Sequence, residues 1–350
     1  MLKTQIPFVD LRGKTPIDLA RAFPDKASAL IKASTYLYGR ASHLASLATL
    51  PFSDRKSHGW LSRTKNPYLY EIESFADIID VPGVYTLNLS YEWGCTGGVY
   101  RAGEGVSMLR VLDWPFPQLG RHAVVALQSS KAGDFYNITW PGMTGVFTAM
   151  APGRFSAAIH LAPMRKHGRG LVGDWLKNRM IAGREEGLPP AHLLLQVFEQ
   201  AKNYDEARKM LTETRLAVPS IFLLSGTHLG QGCVIERLEN TSEVQELGAR
   251  QQLSAANHFT SSLTMVGEGG RPRMADSEGR HRQAGEMLGH ELEANHFEWL
   301  RAPIISQYTR LCVVMDAAKS RLLVQGFEGV MPATDIYNLP QELYVHKEAI

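Results

Sequence analysis

The sequence has no long hydrophobic run and almost no net charge, and each absence excludes a class of protein. No stretch approaches the ~18 consecutive apolar residues of a transmembrane helix. The first twenty residues lack the apolar core and cleavage site of a secretory signal. A formal net charge of +2 provides no basic footprint for nucleic acid or for an anionic membrane. We therefore expect a globular protein that neither inserts stably into a membrane nor binds nucleic acid.

Cysteine is also scarce. The three cysteines, Cys95, Cys233 and Cys312, are odd in number and far apart, which argues against a disulfide framework and favours a cytoplasmic location. Cys233 and Cys312 lie in apolar, strand-like runs and are interpreted as core residues. With 44% hydrophobic and 21% charged residues, the chain has the composition of a folded protein.

The order of secondary-structure signals predicts an α+β fold. The first ninety residues are mainly helical in pattern, with one helix around 27–50 and another opened by Asn66 as the cap and Pro67 at its first position. Residues 95–162 contain short Val-, Ile-, Phe- and Thr-rich runs broken by Gly and Pro, which is typical of an antiparallel sheet. Residues 165–215 return to helix, and Asn203 and Glu206 have the spacing of a capping box.

Strand-like runs reappear at "SIFLLSG", "GCVIERL" and "QLSAANHF". Residues 276–300 are predicted to be helical, and "TRLCVVMDAAKSRLLVQGF" is predicted to form a closing hairpin. This alternation indicates layers in which helices pack outside two sheets.

The stretch "YEWGCTGGVY" carries the strongest chemical signal. A thiol titrates near ~8.5 and needs a neighbouring base or positive charge to react. If the Gly94–Cys95 bond is cut, Cys95 gains an α-amine that titrates near ~7.7–8.0, close to its own sulfur. Gly94 places no side chain beside the scissile carbonyl, and Gly97 and Gly98 permit close backbone approach and unusual dihedrals. The sequence therefore predicts cleavage through a thioester, which water then opens.

"LNLSYEWGCTGG" followed by "MLRVLDWPF" resembles the acid ceramidase and N-acylethanolamine acid amidase group of N-terminal-nucleophile hydrolases. More distant members are choloylglycine hydrolases, penicillin V acylases and isopenicillin N acyltransferases. "WPGMTGVFTAMAPGRFSAAIH", "ANHF", "DSEGRHR" and the closing hairpin resemble further family segments in the same order. The resemblance covers about residues 80–327 and implies the four-layer αββα fold of this family, preceded by a propeptide-like helical segment.

The resemblance also implies roles for individual residues. Cys95 would be the nucleophile and its own amine the base. Asp113 would bind that amine, and Arg110 would favour the thiolate. Asn257 would donate its amide to the oxyanion of the tetrahedral intermediate, and Arg280 would brace the site.

Glu92, Trp140 and His160 are assigned by the same resemblance to substrate binding. His160 stands where the family has Asn, and Leu161 where it has Glu. The implied arginine and aspartate lie three residues apart, on opposite faces of a regular strand. We therefore expect that strand to end or bend near Leu112.

Structural interpretations exist for each of these residues. Arg110 and Asp113 could form a plain ion pair, Asn257 could end a strand, Arg280 could be a solvated helix charge, and His160 could be a core histidine. A zinc site at "GHELEANHFEW" is rejected because its histidines are six residues apart rather than four. No metal or cofactor is expected.

The sequence thus predicts a precursor cut between Gly94 and Cys95 into fragments 1–94 and 95–350, which stay associated. The mature protein would hydrolyse the linear C–N bond of N-acyl amides with a lipid-like or aromatic acyl chain. An acyltransferase of the isopenicillin N type and a non-catalytic binding protein remain alternatives. Assembly into a homo-oligomer is also left open.

Overall fold

The computed structural model of the chain describes residues 3–35, 40–90, 93–263, 268–269, 276–288 and 296–340. Its helices are α1 Pro16–Ala22, α2 Pro24–Thr35, α3 Arg40–Arg63, α4 Leu69–Ile79, α5 Val84–Asn88, α6 Leu119–His122, α7 Gly170–Ala182, α8 Pro190–Gln200, α9 Tyr204–Glu213 and α10 Ser277–Met287. Its strands are β1 Phe8–Asp10, β2 Gly94–Ala102, β3 Gly105–Asp113, β4 Val124–Ser130, β5 Gly133–Thr139, β6 Thr148–Ala151, β7 Phe155–Leu161, β8 Met164–Arg165, β9 Ser220–Ser225, β10 Gly232–Arg237, β11 Ser242–Glu246, β12 Gln252–Ala255, β13 Glu268–Gly269, β14 Thr309–Asp316, β15 Arg321–Glu328, β16 Met331–Pro332 and β17 Tyr337–Asn338.

The strands form two large sheets. The eight-stranded sheet has the order β1-β4-β5-β6-β7-β9-β10-β11, and β1 is its one parallel member, paired with β4. The seven-stranded sheet has the order β12-β2-β3-β14-β15-β16, with β17 also paired to β15. The strands β8 and β13 form a separate two-stranded sheet.

The two sheets stack, with β2 and β3 against β7 and β9. Helices α8 and α9 cover the outer face of the larger sheet, and α10 covers the smaller one beside β12 and β2. Because both faces of the central strands are covered, all nine residues of β3 are buried. This arrangement confirms the predicted α+β layers with helices outside two sheets.

The N-terminal region is helical, as predicted, with two local differences. The pattern around 27–50 forms α2 and α3 rather than one helix. The next helix, α4, starts at Leu69 because Asn66 Oδ1 accepts the Tyr68 N–H at 3.0 Å in a turn that precedes the helix. The apolar face of α4 is buried through Ile72, Phe75 and Ile79.

Further along the chain, the strand-like runs, the closing hairpin and the helical region 165–215 are confirmed. The Asn203 side chain caps α9 by accepting the Glu206 N–H at 2.9 Å. The helix expected over 276–300 ends earlier, at Met287, and residues 297–299 lie in a turn. No helix in the described part of the chain combines the length and the apolar character needed to cross a bilayer.

The N-terminal segment is built into the fold. Its strand β1 extends the larger sheet, and Leu19 of α1 packs against Val124 and Ala126 of β4. The predicted cut between Gly94 and Cys95 falls at the start of β2. The division into fragments 1–94 and 95–350 stays a prediction.

Candidate active site

Cys95 lies at the start of β2, is fully buried and pairs with Leu112 of β3. Side chains alternate along a strand, so Cys95 shares one face of the sheet with Gly97 and Arg110, which pair with each other. This face is turned toward the larger sheet. All three cysteines of the chain are buried free thiols, so Cys95 is distinguished by its neighbours rather than by its burial.

A free strand edge in the larger sheet lies against the thiol. Strand β6 begins opposite Ala158, and the Ile159 N–H still donates to the Phe147 carbonyl at 3.0 Å, so the edge is open from the Ile159 carbonyl to Leu161. The Ile159 carbonyl accepts the Cys95 thiol at 3.5 Å and Arg110 Nη2 at 3.1 Å. The Leu161 N–H faces the Cys95 sulfur and lowers the pKa of its thiol. Backbone groups of β7 therefore form one wall of the site.

Asn257, which follows β12, holds the nitrogen of Cys95. Its Oδ1 accepts the Cys95 N–H at 2.9 Å and Arg280 Nη2 at 3.0 Å. Its Nδ2 donates to the Leu161 carbonyl at 2.8 Å. One amide side chain thus connects Cys95, an arginine and the free edge of β7.

Arg280 in α10 completes the network from the other face of β2. Its Nη1 donates to the Cys95 carbonyl oxygen and to Thr96 Oγ1, the latter at 2.7 Å. Arg280 is 3% exposed, so it is not the solvated helix charge of the structural alternative.

Burial and charge act in opposite directions on the thiol. Burial raises the pKa of Cys95, while the Arg110 guanidinium lowers it and Asp113 raises it further. Burial also lowers the pKa of Arg110 and raises that of Asp113. Two nitrogens of Arg110, Nε and Nη1, have no hydrogen-bond partner among the described residues. The guanidinium is therefore incompletely hydrogen-bonded, and its positive charge beside the sulfur favours a thiolate.

Asp113 lies at the end of β3. The pairing of β2 with β3 is regular from Gly94↔Asp113 onward, and β3 ends at Asp113, one residue after Leu112, as expected. A register irregularity accompanies this strand end. The irregularity lies in the neighbouring strand β14, where Arg310 is an extra residue. In the intact chain, Asp113 Oδ1 accepts the Thr309 hydroxyl at 2.7 Å. Its contact with a free amine on Cys95 stays a prediction.

Gly97 and Gly98 of β2 allow the neighbouring strands to approach closely. A Cβ on Gly97 would lie 2.3 Å from the Leu109 carbonyl oxygen, and one on Gly98 2.2 Å from that of Leu253. The expected close approach is therefore confirmed. Both residues keep ordinary extended backbone, so the expectation of unusual dihedrals was wrong.

The three residues assigned to substrate binding have different surroundings. His160 is fully buried, points between the sheets and bonds through Nδ1 to the Ala256 carbonyl at 3.2 Å. Burial, and then Arg110, hold its pKa well below the usual range. Trp140 lies in a buried aromatic cluster and donates its indole N–H to the Leu119 carbonyl at 2.8 Å. Glu92 lies outside the described residues.

A cavity and a groove lie on the opposite face of β7 from the thiol. The cavity, of about 80 Å³, is lined by Leu161, Trp175 and Val218 and by the Arg165–Glu239 ion pair. It shares Trp175 and Val218 with a groove of about 750 Å³ between α3 and α7. Apolar residues therefore connect the protein surface to Leu161.

Two members of the site were not predicted from the sequence. They are the Leu161 N–H and the Ile159 carbonyl. Backbone groups are the same at every residue, so no sequence signal marks them. His, Cys, Asp and Glu side chains of the described ranges form no group of three placed to hold a metal ion.

Comparison with known proteins gives one consistent group of relatives. No family model matches the chain. Acid ceramidases from Pan troglodytes and Homo sapiens are each 27% identical to it over 219 residues, which is 57% of this chain and 54% of the relative. The chain thus spans about half the length of the curated relatives it matches.

A solved structure gives the fold. The N-acylethanolamine-hydrolyzing acid amidase ortholog of Caenorhabditis elegans superposes with a TM-score of 0.50 at 18% identity. The match covers 70% of this chain and 100% of that one.

Proposed function

Because this chain is a relative of acid ceramidase and has the N-terminal-nucleophile hydrolase fold, we propose that it is a cysteine amidohydrolase activated by cutting its own chain. The network around Cys95 carries this proposal: Asn257 holds its nitrogen, Arg280 its carbonyl, and Leu161 and Arg110 approach its sulfur. All these groups converge on the atoms that an N-terminal nucleophile uses.

The first step makes the catalytic amine. Cys95 Sγ attacks the Gly94 carbonyl carbon, the C–N bond breaks, and the thiol proton ends on the Cys95 nitrogen. Water then adds its hydroxyl to the Gly94 carbonyl carbon, the C–S bond breaks, and the remaining proton of the water returns to the sulfur. The products are fragments 1–94 and 95–350, whose buried contacts would keep them associated.

The second step is amide hydrolysis. The α-amine accepts the thiol proton, the thiolate attacks the substrate carbonyl, and that proton leaves on the departing amine. Water hydrolyses the thioester and returns the enzyme to its starting state. The Leu161 N–H and Asn257 Nδ2 would stabilise the oxyanion, each contributing ~10²–10³ in rate. Asp113 would bind the α-amine.

The groove between α3 and α7 favours N-acyl amides with a long apolar acyl chain. Phe52, Leu176 and Met180 are exposed along it, and an acyl chain there would cover them. The acyl end would reach the cavity beside Leu161, whose main chain contacts the thiol. A cytoplasmic location and a homo-oligomeric state stay predictions.

Intact-mass measurement under denaturing conditions tests the cut. We expect two pieces for the wild type, one chain for Cys95→Ala, and two pieces for Cys233→Ala, which removes another buried thiol. An uncut wild type with full amidase activity would contradict the proposal. A series of N-acyl amides of increasing chain length then tests the groove, and added amine acceptors distinguish hydrolysis from acyl transfer.

A further inference from the structure

Asn257 and Arg280 reach Cys95 from separate parts of the chain, and one hydroxyl joins them. Ser277 is the first residue of α10, one turn before Arg280. Its Oγ accepts the Asn257 main-chain N–H at 2.8 Å. The helix that carries the arginine is therefore tied directly to the backbone of the asparagine.

His258 lies on the other side of that hydroxyl, with Nδ1 2.7 Å from Ser277 Oγ. Since Oγ accepts the Asn257 N–H, its own proton is available for Nδ1 when His258 is neutral. A protonated Nδ1 is itself a donor, and the hydroxyl then loses this acceptor. The protonation state of the His258 imidazole thus decides whether the Ser277 hydroxyl donates a hydrogen bond to Nδ1 or accepts one from it.

The charged groups around His258 come from two elements. The His281 ring of α10 lies edge-on at 5.3 Å, and Glu278 and Arg280 belong to the same helix. Glu236 of β10 faces it from the larger sheet. Burial and then His281 lower the pKa of His258, so its neutral form predominates at neutral pH.

We propose that Ser277 and His258 are positioning residues, which hold Asn257 and Arg280 in register with Cys95 and loosen when His258 is protonated. The proposal rests on the proposed function for its effect on catalysis. Neither residue touches the reacting atoms. Their effect passes through Asn257 Oδ1, which binds both the Cys95 nitrogen and Arg280.

Hydrogen exchange in an uncut Cys95→Ala background tests the link without catalysis. Ser277→Ala should raise the exchange rate of the Asn257 amide roughly tenfold, the effect of losing one hydrogen bond. Ser277→Thr, which keeps the hydroxyl, should restore protection. Ser74→Ala is the control, because that hydroxyl bonds the Tyr70 carbonyl within α4. Equal exchange in Ser277→Ala and its parent would overturn the proposal.

The rate of fragment formation, with Cys95 present, tests the consequence. Ser277→Ala should cut roughly tenfold more slowly, and Ser277→Thr near the wild-type rate. His258→Asn keeps an acceptor near the Nδ1 position but does not titrate, so its rate relative to wild type should rise as pH falls. A pH-independent ratio would overturn the role of His258. A wild type that never cuts refutes the proposed function, while the exchange experiment still decides this inference.

Discussion

Glu71 provides the sharpest test of how the two predicted fragments stay together. It lies in the first turn of α4, and its Oε1 is out of contact with solvent and has no hydrogen-bond partner among the described residues. A cavity of about 10 Å³, close to the volume one water needs, separates it from Asn137 and Thr139 of β5. The residues that line this cavity include no lysine, arginine or histidine.

These surroundings favour the neutral carboxyl. Burial raises the pKa of Glu71 from 4.5 to about 7, Thr144 lowers it in part, and Glu199 of α8 raises it further. The folded pKa is above the unfolded one, so the stabilisation is complete below pH 4.5 and is lost as pH rises through about 7. At about 1.36 kcal/mol per unit of pKa shift, the loss in unfolding free energy is about 3 kcal/mol.

The perturbation is Glu71→Gln in an uncut Cys95→Ala background, and the assay is urea unfolding from pH 4.5 to 8.5. Over this pH range the free energy of unfolding should fall by about 3 kcal/mol less in the variant than in its parent, because the amide of glutamine does not titrate. Both proteins contain the same histidines, so the contribution of the histidines to the pH dependence cancels in the difference between the two unfolding free energies. Asp77→Asn, at an exposed position of the same helix, is the control and should match the parent.

Identical pH dependence in Glu71→Gln and its parent would refute the reasoning, since the carboxyl would then be solvated in the folded protein. If the effect is found, fragments 1–94 and 95–350 should associate more tightly in acid. Glu71 belongs to the first fragment and Asn137, Thr139 and Glu199 to the second. Size-exclusion chromatography of the cut protein at pH 5 and pH 8 measures this directly.

Two further predictions concern β2 and its partner strand. Gly97→Ala should prevent normal folding, because the new Cβ would lie 2.3 Å from the Leu109 carbonyl oxygen. Gly59→Ala, in open space on α3, should instead stabilise the protein by roughly 0.5–1 kcal/mol. Thermal melting of the two variants distinguishes these outcomes. Arg110→Gln should slow fragment formation at least roughly tenfold, because each unit of increase in the thiol pKa reduces the thiolate tenfold. The rate is measured from the intact mass of the protein over time. If Arg110→Gln is cut at the wild-type rate, Arg110 does not favour the thiolate.

The local signals in the sequence were sufficient for most of the elements and for singling out Cys95. Short runs rich in Val, Ile, Phe and Thr, broken by Gly and Pro, predicted β3, β7 and the closing hairpin, because a strand covered on both faces needs apolar side chains on both. Cys95 was identified by its glycine neighbours and by the ordered resemblance, and Asn257 and Arg280 by short motifs. The start of α4 differs from the prediction by two residues, because a turn precedes the helix at Leu69, whereas α10 ends at Met287 rather than near 300.

The tertiary structure decided which groups meet at the thiol. Asn257 and Arg280 lie 162 and 185 residues from Cys95 along the chain, and no local pattern specifies contacts across such distances. The Leu161 N–H and Ile159 carbonyl are backbone groups, available only because β6 begins opposite Ala158. The sequence determines where strands form, since apolar runs and the Gly and Pro residues that interrupt them are local signals. Sheet stacking determines which strand edge and which side chains surround the sulfur, since that depends on the whole fold.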